Sequence, residues 1–234
     1  MMTGEWDECF GAKENEDGTL GVPGIVRGSA NLIGGSPGAG KSTLFLQMSA
    51  NVIERYELPV LYLASEEQLP QIKSRAERLK IKGNRLLRFV DLRKGTADLS
   101  IILRAHKFGF LILDSLKALA ESPEDCIVLC KVIKEFATFL HAPAVISQHV
   151  NKGGDMAGLM SLQHEVDATL TFFPDEDDIN PENNEPLRVM HTVKNRNGRA
   201  GVDVELDMSV RGLSPRTRPE PDELEALDEL ESED

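Results

Sequence analysis

A chain of 234 residues is long enough for one sizeable core with short appendages. With 41% hydrophobic and 28% charged residues and a mean hydropathy of -0.25, the composition is that of a water-soluble globular protein, and no uninterrupted apolar run approaches the roughly 18 residues needed to span a membrane. The formal net charge of -13 argues against indiscriminate coating of nucleic acid, and Cys9, Cys126 and Cys130 are too few and too badly spaced for a disulfide framework or a four-ligand zinc site.

The amino-terminal segment 1–24 is acidic and lacks the basic-then-apolar order of a secretory signal, so a cytoplasmic location is expected. Beyond it, apolar runs at 30–33, 60–64, 86–90, 110–114 and 144–148 read as buried strands. Helical patterns follow them at 41–55, 68–80, 96–107, 123–140 and 159–164, with Pro70 and Pro123 in first-turn positions where a missing N–H costs little. This alternation predicts an α/β fold, a mainly parallel sheet flanked by helices. Cys126 and Cys130, at i and i+4, read as two small buried residues on one helix face. After residue 165 the helices stop. Runs at 166–173, 187–196 and 201–208 predict a C-terminal antiparallel extension, with Asn197-Gly198 as a hairpin turn and the polar, proline-bounded 174–186 as a solvated loop. The organisation expected is therefore a segment 1–24, a core 25–213 and a disordered tail 214–234. From 220 to 234 the tail holds nine acidic residues and no basic one. Conversely, 73–94 holds nine basic residues against Glu77 and Asp91, which is either an anion-facing surface or a solvated helix face.

Gly35, Ser36, Pro37, Gly38, Ala39, Gly40, Lys41 and Ser42 complete the pattern G-x-x-x-x-G-K-(S/T) between an apolar run and a helical stretch beginning at Thr43. Such a loop turns backbone N–H groups toward a β-phosphate at a helix N-terminus, while Lys41 reaches the β and γ oxygens and the Ser42 hydroxyl holds Mg²⁺. Gly38 and Gly40 are where a side chain would most directly obstruct the phosphate. A second carboxylate for the metal is expected at the end of a buried strand, and Asp114 supplies it. Strand 60–64 runs into Ser65-Glu66-Glu67 at the carboxyl edge of the sheet, where ligands bind in open α/β folds. Glu66 is assigned the orientation of the attacking water, and Glu67 is its competitor, a helix first-turn acid favoured by the dipole. Gln148 ends strand 144–148 as a neutral donor able to report loss of the γ-phosphate to the glycine-rich stretch after it.

Four stretches, GGSPGAGKSTLFLQ (34–47), VLYLASEEQLPQIKSRAERL (60–79), HVNKGGDMAGLMSLQHEVDATLTFF (149–173) and VKNRNGRAG (193–201), resemble the RecA-like ATPases, most closely the ATPase core of bacterial RadA (Sms), over about residues 5–213. Ser147-Gln148 is similar to the DnaB helicases. The resemblance implies ATP as the nucleotide, Mg²⁺, a homo-oligomer in a hexameric ring or filament, and single-stranded DNA as a partner, with Lys152 as a DNA phosphate contact. It also gives Lys194 and Arg196 the role of a finger reaching the neighbouring subunit's γ-phosphate. The four-cysteine zinc module and Lon-like domain of RadA have no counterpart in these residues.

The function expected is an Mg²⁺-dependent, oligomeric ATP hydrolase acting as a motor or remodelling factor on single-stranded DNA in recombination, repair or replication, with helicase or branch-migration activity. The acidic stretch 117–125 after Asp114 favours a second expectation: an ATP-switched oligomeric scaffold with little DNA binding, whose acidic tail recruits a protein partner. His106, His141, His149, His164 and His191 lack metal-ligand spacing.

Overall fold

The computed structural model describes residues 24–92, 99–150 and 156–216, leaving aside the side chains of 156–158. Strands and helices alternate as β1 (Ala30–Gly35), α1 (Lys41–Tyr56), β2 (Val60–Ala64), α2 (Leu69–Arg78), β3 (Leu87–Asp91), α3 (Leu99–Ala105), β4 (Phe110–Asp114), α4 (Pro123–Leu140), β5 (Ala144–His149) and α5 (Met156–Leu162). Four strands then follow without helices: β6 (Ala168–Asn180), β7 (Glu185–Asn195), β8 (Asp203–Ser209) and β9 (Gly212–Pro215). They form one nine-stranded sheet in the order β3-β2-β4-β5-β1-β6-β7-β8-β9. Pairing is parallel from β3 to β6 and antiparallel from β6 to β9. The expected fold class is borne out.

The helix starts follow from local chemistry. Ser122 and Asp125 form a reciprocal capping box at α4, with Pro123 in the first turn, and Gln68 and Gln71 do the same at α2, with Pro70 in the first turn. Every residue of β1, β2 and β4 is buried, as parallel strands covered on both faces must be. Successive side chains go to opposite layers. Tyr62 and Ile112 join Leu44, Phe45 and Ile72 of α1 and α2, whereas Leu61, Leu63 and Leu111 join Leu103, Cys130 and Ile133 of α3 and α4. Cys126 and Cys130 are buried as expected, and burial pushes the Cys130 thiol up to about 12. No helix among the described residues is long and apolar enough to cross a membrane.

Three expectations are corrected. The strand expected to open the antiparallel extension pairs parallel with β1, so the change of direction comes one strand later, at β7. The stretch 174–186 is not a loop: β6 and β7 continue through most of it as a hairpin with an irregularity between Asp175 and Ile179, closed by the Asn184 N–H donating to the Asn180 carbonyl at 2.9 Å. Its outer part carries exposed polar side chains, so backbone pairing outruns the apolar pattern that reveals a strand. Asn197-Gly198 does not make a two-residue turn either. The connection runs from 196 to 202, with the Gly201 N–H donating to the Thr192 carbonyl at 2.7 Å.

β9 was not expected from the sequence, and the Gln47 side chain of α1 holds it. Its amide nitrogen donates to the Leu213 carbonyl at 2.8 Å and its oxygen accepts from the Leu213 N–H at 2.9 Å, imitating a neighbouring strand. Gln47→Leu leaves both backbone groups of a buried residue unpaired, so urea denaturation of this variant should show a loss of about 1–3 kcal/mol.

Candidate active site

The loop after β1 reverses through two glycines in the left-handed region, Gly38 with φ 82° and Gly40 with φ 107°, and Gly40 caps α1. Gly35 is demanded for a different reason that the motif alone does not disclose. A Cβ there would lie 2.1 Å from the Phe172 carbonyl oxygen of β6, so the loop sits directly on the neighbouring strand. Lys41 is buried, and its ammonium donates to the carbonyls of Gly35 at 2.8 Å and Ser36 at 2.9 Å. Burial lowers its pKa, against the opposing pull of Asp114 and Glu66.

Asp114 ends β4 as a buried carboxylate held from both sides. Oδ2 accepts from the Tyr62 hydroxyl at 2.8 Å and Oδ1 from the Ser147 hydroxyl at 3.0 Å. Burial first, and then the carboxylate itself, push the Tyr62 hydroxyl well above the ordinary phenol value, so it stays a donor.

The two glutamates after β2 separate by partner. Glu67 is engaged by the Arg75 guanidinium on both oxygens, one contact at 2.7 Å. Glu66, which remains partly exposed, meets His149 with its Oε2 2.6 Å from Nε2. Burial alone would raise the Glu66 carboxyl, but His149 and the charge of Lys41 outweigh it and hold the group below its ordinary value.

Ser42, Thr43, Lys41, Glu66, Glu67, Asp114 and His149 line one cleft of about 520 Å³ with the glycine-rich loop, a size suited to a small-molecule ligand. Its far wall comes partly from the basic stretch that the sequence singled out and partly from residues that sequence reasoning left out. Arg188 of β7 is buried and donates from Nε to the Ala39 carbonyl at 3.0 Å, bracing the loop, and Arg75, Arg78 and the β8–β9 turn complete the rim. A single arginine inside an alternating strand carries no signal for such a role. Gln148 does not line this cleft. It is buried with Oε1 unpartnered, and it faces a smaller cavity of about 220 Å³ between the 117–123 stretch and α5; His149 lines both spaces.

Lys194 and Arg196 come together, but at the opposite edge of the sheet. The end of β7 pairs with the start of β6, which lies beside the start of β1. The Lys194 ammonium donates to the carbonyls of Gln163 and Val166, and the Arg196 guanidinium donates to the His164 carbonyl at 3.2 Å and lies 3.6 Å from Asp167. Burial, followed by the charges of Arg196 and Lys134, lowers the Lys194 pKa. Lys152, the segment 1–23 and the tail from 217 lie outside the described residues.

The donor set suits a hard divalent cation held chiefly by substrate phosphates: the Ser42 hydroxyl and the Asp114 carboxylate are among the oxygen groups lining the cleft beside the glycine-rich loop, and no group of three or more His, Cys, Asp or Glu side chains among the described residues forms a separate metal cage.

Residues 7–100 match the family model described as "ATPase: KaiC". The DNA repair protein RadA of Rickettsia conorii is 34% identical over 206 residues, covering 84% of this chain and 44% of that protein. RadA of Aquifex aeolicus is 34% identical over 214 residues, covering 88% and 46%. The chain thus spans less than half the length of these curated relatives. Among solved structures, a KaiC-like protein from Pyrococcus horikoshii OT3 superposes with a TM-score of 0.66 at 16% identity, over 83% of this chain and 92% of that one, which shows the fold. The expected likeness to RecA-like ATPases and to RadA is therefore borne out.

Arg188→Met removes the brace on the loop and leaves the Ala39 carbonyl without its donor. Binding of a fluorescent ATP analogue, followed by titration, should weaken about tenfold, in line with roughly 1.5 kcal/mol for a charged hydrogen bond.

Proposed function

We propose that this chain, which carries a KaiC-like RecA-fold ATPase domain and is homologous to proteins named DNA repair protein RadA, hydrolyses ATP in an oligomer acting on single-stranded DNA during repair or recombination. The observation that carries the reading is the convergence of Lys41, Ser42, Asp114 and Glu66 on a single cleft beside a glycine-rich loop.

The triphosphate lies on 35–43, where the backbone N–H groups and the start of α1 meet its charge. Lys41 exchanges two loop carbonyls for phosphate oxygens. Ser42 and Asp114 are the residues that would hold Mg²⁺, which would supply charge neutralisation to the phosphates when bound. Both Asp114 oxygens accept hydrogen bonds, from Tyr62 and Ser147, which fix the orientation of the carboxylate. Glu66, ionised at neutral pH, orients the attacking water, while the Arg75 pairing withholds Glu67 from that task. The γ-phosphate contact expected of Gln148 passes to His149, which stands between the cleft and the smaller cavity, with Gln148 on the side facing α5. Lys194 and Arg196, remote from their own loop, serve the γ-phosphate of a neighbouring copy, and Arg196 is exposed enough to leave its carbonyl for that purpose. Lys152 remains the proposed DNA phosphate contact.

Glu66→Gln should lower ATP turnover by about 10² or more while ATP-analogue binding persists, as expected when a group that acts on the attacking water is lost. The base works only when ionised, so turnover falls as pH drops through its pKa; because His149 depresses that value, His149→Ala should move the acid limb of the pH–rate profile to higher pH.

The deciding experiment for the interface is ATP turnover against protein concentration, with and without single-stranded DNA, for wild type and Arg196→Ala. Turnover should rise more than linearly, respond to DNA, and fall by about 10³ or more in the variant. Turnover per chain that is flat with concentration and indifferent to both DNA and Arg196 rejects the trans finger and favours the scaffold reading.

A further inference from the structure

At the amino edge of the sheet, one carboxylate is contested by two cations. Asp167 immediately precedes β6. Its Oδ2 accepts from the Ala30 N–H at 3.0 Å, and its Oδ1 accepts from the Lys134 ammonium of α4 at 2.9 Å. The Arg196 guanidinium stands 3.6 Å from that same Oδ1, beyond hydrogen-bond length, although the Arg196 backbone N–H donates to the Asp167 carbonyl at 2.9 Å and so keeps the two residues side by side.

The surroundings offer Arg196 little else. Glu165 has Lys131 at 3.9 Å, and the Lys194 ammonium is spent on the Gln163 and Val166 carbonyls. Among the described residues, the guanidinium keeps one hydrogen bond, to the His164 carbonyl at 3.2 Å. Exposure ranks the rivals in the same way: the Lys134 side chain is 30% exposed and that of Arg196 48%, so the cation that holds Asp167 is the sheltered one. A guanidinium can grip a free carboxylate through two N–H groups in one plane, a stronger and more rigid pairing than an ammonium makes. Lys134 prevents that grip. It neutralises the carboxylate and repels a second positive charge beside it.

We propose that Lys134 is a positioning residue for Arg196: by occupying Asp167 it keeps the guanidinium from locking against its own subunit, and so leaves it free to swing to the γ-phosphate of a neighbouring copy. The contest for Asp167 stands on distances within one chain; its effect on turnover rests on the trans-finger reading above.

Lys134→Met keeps an unbranched side chain and removes its charge, so Arg196 should close on Asp167. In dilute, nucleotide-free protein, labelling of Arg196 by phenylglyoxal, read by peptide mass spectrometry, should slow about threefold in this variant, as suits a partly exposed ion pair. It should stay near wild type in Lys134→Arg and recover in Lys134→Met/Asp167→Asn, where no carboxylate is left to hold the guanidinium. ATP turnover at saturating nucleotide should follow the same order, with ATP-analogue affinity unchanged. Unchanged labelling in Lys134→Met overturns the contest itself. A double variant that turns over no faster than Lys134→Met, or weaker analogue binding in Lys134→Met, assigns Lys134 a structural role and overturns the proposal, because independent structural losses add rather than cancel. Turnover that collapses in Arg196→Ala yet ignores Lys134→Met overturns it as well. Labelling that responds as expected while turnover ignores both Lys134→Met and Arg196→Ala rejects the trans finger and leaves the contest for Asp167 standing.

Discussion

A buried carboxylate must be hydrogen-bonded, and the way Asp114 meets that requirement ties the site together. Its two oxygens draw on Tyr62 of β2 and Ser147 of β5, the strands on either side of its own. Three strand ends are thereby held level at one edge. Glu66 lies two residues beyond the end of β2, and His149 is the last residue of β5, so the same restraint that satisfies Asp114 brings their side chains within 2.6 Å. The Leu116 N–H, donating to the Ser147 carbonyl at 2.8 Å, and the Ser65 N–H, donating to the Asp114 carbonyl at 2.9 Å, extend the restraint to the backbone.

The glycine-rich loop depends on a second support that comes from far along the chain. β6 passes so close to Gly35 that no side chain fits between them, and Arg188 of β7 reaches across to the Ala39 carbonyl. The C-terminal antiparallel strands are thus the far wall of the cleft as well as the end of the sheet. Holding a loop of backbone donors rigid in advance is what lets it meet charge without reorganising. The two ends of the sheet also approach each other, since α2 near one edge meets β9 at the other through Leu79 and Gly212.

Charge is divided between the two edges of the sheet. At the carboxyl edge, Lys41, Asp114, Glu66 and His149 face the cleft. At the amino edge, Lys194 and Arg196 gather on carbonyls of the 163–166 segment and on Asp167, whose other oxygen accepts from the Ala30 N–H at 3.0 Å. Within one chain these are separate electrostatic centres. A function linking them requires a second copy, which is the physical basis for proposing catalysis between subunits.

The sequence by itself determined the βα alternation, the parallel character of the first strands, the glycine-rich loop, Asp114 and the pair Glu66-Glu67, because each is written in local patterns: apolar runs buried on both faces, glycines at forced φ, and polar residues at strand ends. Only the tertiary structure decided what depends on residues distant in the chain. Glu66 and Glu67 are indistinguishable as neighbours, and their partners His149 and Arg75 separate them. Gln148 and His149 are adjacent on one strand, and the strand's alternation sends one toward α5 and brings the other to the cleft. The hairpin through 174–186 and the strand held by Gln47 left no apolar pattern, since their stability comes from backbone pairing supplied by other elements. Arg188 was silent for the same reason: an arginine earns its place in a strand by what lies across from it, and no local pattern records that.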